Sequence, residues 1–208
     1  TCALPILLLR MYDVSAGAIQ LEGRDIRSID LHPLREQIGY VPQDVFLFSD
    51  TVSGNIGFGK ETADPAAIRL AAVRASVAEE IKGFTQQFDT MIGERGVTLS
   101  GGQKQRISIA RALLKDSSLL IFDDCLSAVD SRTEKQILGQ LNEFLLERTA
   151  IIITHRIFTL LDFDKVVVME EGRITEQGTH KELLEKQGFY ASLYARQQRQ
   201  EQPGFETY

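Results

Sequence analysis

The sequence predicts an α/β fold, a mostly parallel sheet with flanking helices and an inserted α-helical subdomain. Three observations predict it. Short β-branched runs recur between helical segments, a helix-rich stretch interrupts that alternation, and one apolar run ends in adjacent carboxylates.

In chain order, residues 18–22, 39–41, 119–123 and 150–154 are rich in β-branched or bulky apolar side chains and are bounded by Gly, Pro, Asp or Thr. These read as buried strands. Residues 165–169 and 173–177 flank Glu170, Glu171 and Gly172 and read as a hairpin. Asp64 and Pro65 open a helix carrying Ile68, Ala71, Ala72, Ala75 and Ala78 on one face and stopping near Gly83. Ser131 and Glu134 have capping-box spacing ahead of Leu138, Leu141 and Leu145. From about 45 to 115 there are helical patterns and glycine-rich loops but no core strand, which marks the inserted subdomain. The expected division is one domain over 1–208, with core segments 7–44 and 116–196, the helical subdomain at about 45–115, and a polar tail at 197–208. The tract RQQRQEQ (196–202) reads as the frayed, solvated end of a helix.

Composition narrows the function. The chain has 208 residues, 43% hydrophobic and 25% charged, enough for one substantial core. Its net charge of −6 supplies no basic field to gather phosphate backbones, so nucleic acid is not an expected partner. Two cysteines, Cys2 and Cys125, make neither a disulfide framework nor a zinc site, and Cys125 reads as a small buried residue. The longest apolar run, Ala3–Leu9, is far short of the ~20 residues of a membrane-spanning helix.

Four stretches carry chemistry. In LSGGQKQR (99–106), glycines follow Ser100 and precede a helical pattern of Ile107, Ala110, Leu113 and Leu114. A helix opening there presents bare amides and its positive dipole end to an anion, while a plain Ser cap would explain the serine and glycines alone. In LLIFDDCLSAVD (119–130), a buried strand delivers Asp123 to its C-terminal edge, where open α/β sheets bind ligands, placed to hold Mg²⁺ directly or through water. Alternation along the strand turns Asp124 towards another part of the site, where it can orient the water attacking a γ-phosphate. His155 directly follows the strand 150–154; alone, it could equally just satisfy backbone groups. GYVPQ (39–43) ends in Gln43, whose amide could reach the metal or the attacking water. His32, before Pro33 in a turn, and His180, at a helix start, read as surface residues.

Together these stretches resemble the nucleotide-binding domain of ATP-binding cassette (ABC) transporters of the exporter type, over Leu7 to about Arg196. The resemblance implies an ABC-type P-loop NTPase core. LSGGQKQR matches the signature motif, so Ser100, Gly101, Gly102 and Gln103 are expected to bind ATP. LLIFDD matches the Walker B motif, with Asp123 on Mg²⁺ and Asp124 in the catalytic position. Ser127, Ala128, Val129 and Asp130 match the D-loop at the dimer contact, His155 the switch histidine, and Gln43 the Q-loop glutamine. TMIGERG (90–96) is similar to the exporter element that touches the membrane domain, with Glu94 as its contact residue. The implied partners are a second nucleotide-binding domain and a transmembrane domain fused upstream, at the cytoplasmic face of a bacterial plasma membrane.

The family's phosphate loop, G-x-x-x-x-G-K-[ST], is not matched. GNIGFGKE (54–61) ends in Glu61 and follows no buried strand, so it is rejected and Lys60 is expected to face solvent. The true loop is expected just before residue 1, because LLLRMYDVSAG (7–17) resembles the end of the helix that follows it. By that reading the chain is a fragment, inactive alone, and TCALPI (1–6) is non-native sequence with Pro5 at a helix-interior position costing ~3 kcal/mol. Most active domains of the family carry Glu where Asp124 stands. By resemblance to heterodimeric exporters, notably bacterial multidrug-resistance-like members, Asp124 marks the Walker B half of a degenerate site, while LSGGQ serves a consensus site on a different partner chain. A regulatory module with little hydrolysis and a soluble ABC ATPase of DNA maintenance are the alternatives.

Overall fold

The computed structural model describes residues 3–60, 62–93 and 96–201. The chain forms two compact units, Thr1–Ile153 and Thr154–Tyr208.

The first unit is built on a parallel sheet of β3 (Ile38–Val41), β4 (Leu119–Asp123) and β5 (Thr149–Ile153), in that spatial order. Register runs from Ile38 opposite Leu119 to Val41 opposite Phe122, and from Leu119 opposite Thr149 to Asp123 opposite Ile153. All five residues of the central strand are buried, which is why its sequence is an unbroken apolar run and not an alternating one. Leu9, Ile26, Leu34, Ile38, Leu119 and Ile121 form one core cluster, with Tyr40, Ile151 and Ile153 packed against it.

Helix α1 (Leu4–Leu8) opens the described chain, and Pro5 lies in its first turn. There the missing N–H has no intrahelical partner to lose, so the expected ~3 kcal/mol penalty does not arise. Residues 18–22 do not make a buried strand. Only Gln20–Leu21 (β1) pairs, antiparallel with Arg24–Asp25 (β2), and of residues 18–22 Ile19 and Leu21 are half-buried and the rest exposed. Helix α2 (Leu31–Glu36) leads into β3, placing exposed His32 in a first helical turn and not in a loop.

Between β3 and β4 lie α3 (Val52–Gly57), α4 (Pro65–Arg74), α5 (Ala78–Lys82) and α6 (Gly101–Lys115), and among the described residues only isolated bridges at Thr51–Met91 and Ile92–Val97. The single helix expected from Asp64 to Gly83 is two. Ser76 takes a left-handed φ of 53° between α4 and α5, while Ile68, Ala71, Ala72, Ala75, Ala78 and Ile81 stay buried across the break. Helix α6 is the pillar of this region, buried at Gln105–Ala110 and Ala112–Leu114. Its C-terminal Lys115 donates to the carbonyls of Arg35 (2.6 Å) and Ile38 (3.0 Å), tying it to β3.

Helix α7 (Ser131–Leu145) follows β4, and its cap is Asp130, not the predicted Ser131–Glu134 box. Asp130 has extended backbone (ψ 154°) and its Oδ1 accepts from the amides of Arg132 (3.1 Å) and Thr133 (3.0 Å), whereas Ser131 is already helical.

The second unit holds the hairpin β6 (Val166–Glu170) and β7 (Arg173–Gly178), then α8 (His180–Glu185) and α9 (Phe189–Glu201). His180 is no bland surface residue: its Nδ1 lies 2.7 Å from the Tyr190 hydroxyl, and its ring packs edge-on against Tyr190 and Tyr194. Gln197 is half-buried, accepting from the Ile157 amide (2.9 Å) and donating to its carbonyl (2.8 Å), so the start of the polar tail is a structural contact. Gln202 lies outside the described residues. Among the described residues no helix is long and apolar enough to cross a membrane.

Candidate active site

The parallel strands of the first unit all point one way, so their C-terminal ends form one edge, at which Gln43, Asp123 and Asp124 lie. Asp123 is the last residue of β4 and Gln43 stands two residues beyond β3. Asp123 is 8% exposed. Burial raises its carboxyl pKa above the ordinary value and the neighbouring Asp124 adds to the rise, while a hydrogen bond from the Tyr40 hydroxyl to Oδ2 (3.4 Å) opposes it. The same contact, with burial as the larger cause, pushes the Tyr40 hydroxyl up to about 12, so Tyr40 remains a donor. Tyr40 was missed in the sequence, where it reads as one more aromatic strand residue. The one clue was its place in the strand that delivers Gln43.

A desolvated carboxylate with a single long neutral hydrogen bond fits a cation. Asp123 could hold Mg²⁺ with exposed Gln43 as a neutral second ligand. Mg²⁺ commonly takes one or two carboxylates and keeps water and phosphate in its remaining positions. No cluster of three or more His, Cys, Asp or Glu suited to a metal occurs among the described residues.

Asp124 leaves the strand sharply. Its φ is 43°, its amide donates to the Ile153 carbonyl (2.8 Å), and its carboxylate is half-buried. Asp124 takes a left-handed backbone conformation directly after the strand, which Asp tolerates better than most residues, and its charge is near enough to contribute to the raised pKa of Asp123. Cys125, next in line, is buried with its thiol pushed up to about 12 by desolvation, which agrees with a packing role.

Of the four residues Ser127, Ala128, Val129 and Asp130, the first two bridge the strand end and α6. The Ser127 hydroxyl donates to the Asp124 carbonyl (2.9 Å), and Gln105 of α6 accepts from the Ala128 amide (3.1 Å) and donates to Ser127 Oγ (3.4 Å). A Cβ on Gly102 would come within 3.1 Å of the Ala128 carbonyl, so that glycine serves a close backbone approach. Asp130 is exposed, with Oδ1 engaged as the α7 cap.

The start of α6 is not bare. Ser100 Oγ accepts from the Gln103 amide (3.2 Å) and Gln103 Oε1 accepts from the Ser100 amide (2.9 Å), a reciprocal capping box. Only the Gly101 and Gly102 amides are left by that cap without a partner among the described residues, which narrows the anion-facing donors to two. His155 belongs to the second unit, exposed, two residues after β5. Lys60 is exposed, its Nζ 3.5 Å from the Leu114 carbonyl, and Gly54 lies within α3, so GNIGFGKE does not form a phosphate loop. Glu94 lies outside the described residues.

Residues 3–127 match the family model for the ABC transporter. The chain belongs to the ABC transporter family. It is 45% identical over 197 residues to an "ABC transporter ATM1" of Toxoplasma gondii, covering 94% of this chain and 17% of that protein. It is 44% identical over 191 residues to an "ATM1-type heavy metal exporter" of Novosphingobium aromaticivorans, covering 92% of this chain and 31% of that one. Among solved structures, a bacterial Atm1-family ABC exporter with ATP bound superposes with a TM-score of 0.89 at 44% identity, over 94% of this chain and 34% of the other. The chain therefore spans between 17% and 34% of these relatives' length. The similarity is to ABC exporters, as the motifs implied.

Proposed function

We propose that this chain is the ATP-binding and ATP-hydrolysing domain of an ABC exporter, acting as half of an ATP-sandwich dimer beneath a transmembrane domain at the cytoplasmic face of a bacterial plasma membrane. The observation that carries this reading is the pair Asp123 and Asp124 at the end of the central parallel strand, one buried and the other half-buried at a left-handed turn. Asp123 holds Mg²⁺ with Gln43, and Asp124 orients the attacking water; His155 is assigned a catalytic role from its match to the switch histidine alone. Mg²⁺, when bound, neutralises charge on the β- and γ-phosphates. Ser100, Gly101, Gly102 and Gln103 bind the nucleotide held by the partner domain, through the amides that the cap leaves open.

The finer reading is that the partner is a different chain. Asp124 is one methylene shorter than glutamate, which withdraws the carboxylate by roughly 1 Å, and misplacement of that order costs on the order of 10²-fold in rate. This chain then supplies the Walker B half of a degenerate site, and hydrolysis runs at the site formed by its signature motif and the partner's Walker motifs. Residues 45–115 act as the helical subdomain facing the membrane domain, with Glu94 as the coupling contact. Steady-state ATPase of the full transporter tests the unequal pair. Asp124→Asn is expected to spare most turnover while removal of the partner's glutamate abolishes it; equal loss from both refutes the degenerate assignment.

A further inference from the structure

The capping box explains how Gln103 uses its Oε1, but not where its amide protons go. They point to the preceding helix: Gln103 Nε2 donates to Glu80 Oε2 at 2.9 Å. Glu80 also receives both terminal nitrogens of Arg106, Nη1 on Oε1 at 2.6 Å and Nη2 on Oε2 at 3.0 Å. Arg106 is enclosed, its side chain 9% exposed against 40% for Glu80. Its remaining bonds are backbone ones, Nη1 to the Ser76 carbonyl (2.9 Å) and Nε to the Gly102 carbonyl (3.2 Å). The left-handed Ser76 is what turns that carbonyl out of the α4–α5 run, so the helix break and the guanidinium belong to one arrangement.

We infer that Glu80 is a positioning residue for the nucleotide-binding turn of α6, acting through Gln103 and Arg106. The inference rests on the function proposed above for Ser100–Gln103. Two consequences follow from the geometry. The Gln103 amide is locked in one orientation, because Oε1 must face the Ser100 amide and Nε2 must face a carboxylate. The Gly102 carbonyl is held by the same guanidinium that Glu80 anchors, which fixes the Gly102–Gln103 peptide and, with the Ser100–Gln103 capping box on its other side, the first turn that carries the Gly101 and Gly102 amides before any nucleotide arrives. Preorganised donors bind without the cost of ordering them, and that benefit falls on nucleotide affinity and not on the chemical step.

The test uses the full-length transporter with its partner domain in lipid, comparing wild type with Glu80→Gln and Glu80→Asp. The side-chain amide of Glu80→Gln cannot accept from both Gln103 and Arg106 without turning a donor towards a donor. Expected are a KM for ATP raised roughly tenfold, the effect of one charge-assisted hydrogen bond, with kcat within about twofold. Hydrogen exchange at residues 100–103 should quicken while the core strand 119–123 stays protected. Glu80→Asp, which keeps the carboxylate, should recover part of the KM. Unchanged KM and exchange in Glu80→Gln overturn the inference. So does a loss of kcat in step with a fall in Tm at constant KM, which marks a merely structural contact. A wild-type transporter that neither binds nor hydrolyses ATP overturns the proposed function first and this inference with it.

Discussion

Lengthening Asp124 to glutamate separates geometry from identity at the catalytic position. The amide of Asp124 is fixed to the Ile153 carbonyl at 2.8 Å, so the backbone cannot drift to compensate for a different side chain. The added methylene carries the carboxylate roughly 1 Å further out, and recovery from a misplacement of that size is worth on the order of 10²-fold, about 2.7 kcal/mol of barrier. The φ of 43° acts in the opposite sense on stability. Aspartate tolerates left-handed backbone through its short polar side chain, whereas glutamate there costs about 1 kcal/mol. Asp124→Glu is therefore expected to raise turnover at this chain's Walker site about 10²-fold while lowering the unfolding free energy by about 1 kcal/mol. The assay is ATPase of the reconstituted transporter whose partner has its own catalytic carboxylate neutralised, so that only this site is read, alongside urea denaturation. A rate within twofold of wild type refutes the reasoning, since side-chain length is then not what limits the site.

Three further outcomes follow from the same structure. Asn55 is fully buried and bonds the Phe48 amide and carbonyl, the Thr51 carbonyl and Arg111, so Asn55→Ala should cost about 2–4 kcal/mol in urea denaturation by stranding those groups. Asp123→Asn should raise the Tm without nucleotide. Because the folded carboxyl pKa is raised, wild type is stabilised at pH values below the ordinary carboxyl pKa and loses that contribution as pH rises through the folded value; the variant should show no such loss in pH-dependent melting. Cys125, buried with a thiol pushed up to about 12, should resist alkylation in the folded protein and react only as rapidly as urea exposes it, which timed labelling and mass spectrometry will show.

The parts of the fold that were legible in the sequence share one property: their local pattern and their tertiary environment agree. β3, β4 and β5 lie side by side in one parallel sheet, and apolar runs at 39–41, 119–123 and 150–154 located them within a residue or so; β3 and β4 are buried as expected, whereas β5 is at most half-buried along its length. Residues 18–22 have a similar composition, but only Ile19 and Leu21 pack against the core, both partly buried, and only two residues pair. The break at Ser76 left no trace because the apolar phase continues through it, and the group that takes its carbonyl, Arg106, lies 30 residues away. The two caps were exchanged for a related reason. S-x-x-E at 131–134 has the right spacing, yet the chain is already helical at Ser131, while S-x-x-Q at 100–103 has both spacing and an extended Ser100. Spacing alone does not say where a helix begins. The positions of Asp123, Asp124 and Gln43 at or just after strand ends were legible; the contacts of Tyr40 and Glu80 were not, since their partners are distant in sequence.

The loop after β4 gives the site a property that its separate motifs do not have. Ser127 is bonded to the carbonyl of Asp124 on one side and to Gln105 on the other, and Gln105 also holds the Ala128 amide. Gly102, one of the two glycines whose amides remain open, sits against the Ala128 carbonyl at a distance that excludes a larger residue without displacement. A change in the backbone at Asp124 must therefore either break a hydrogen bond in this loop or move the first turns of α6. The same turns are held from the other side by Glu80 through Gln103 and Arg106. The catalytic carboxylate and the nucleotide-binding turn thus share one loop within a single chain, although in the proposed dimer they serve different nucleotides. Under that proposal, each ATP site senses the other through bonds inside this domain, and a chain with a weak Walker site still has a mechanical part in the turnover of its partner's.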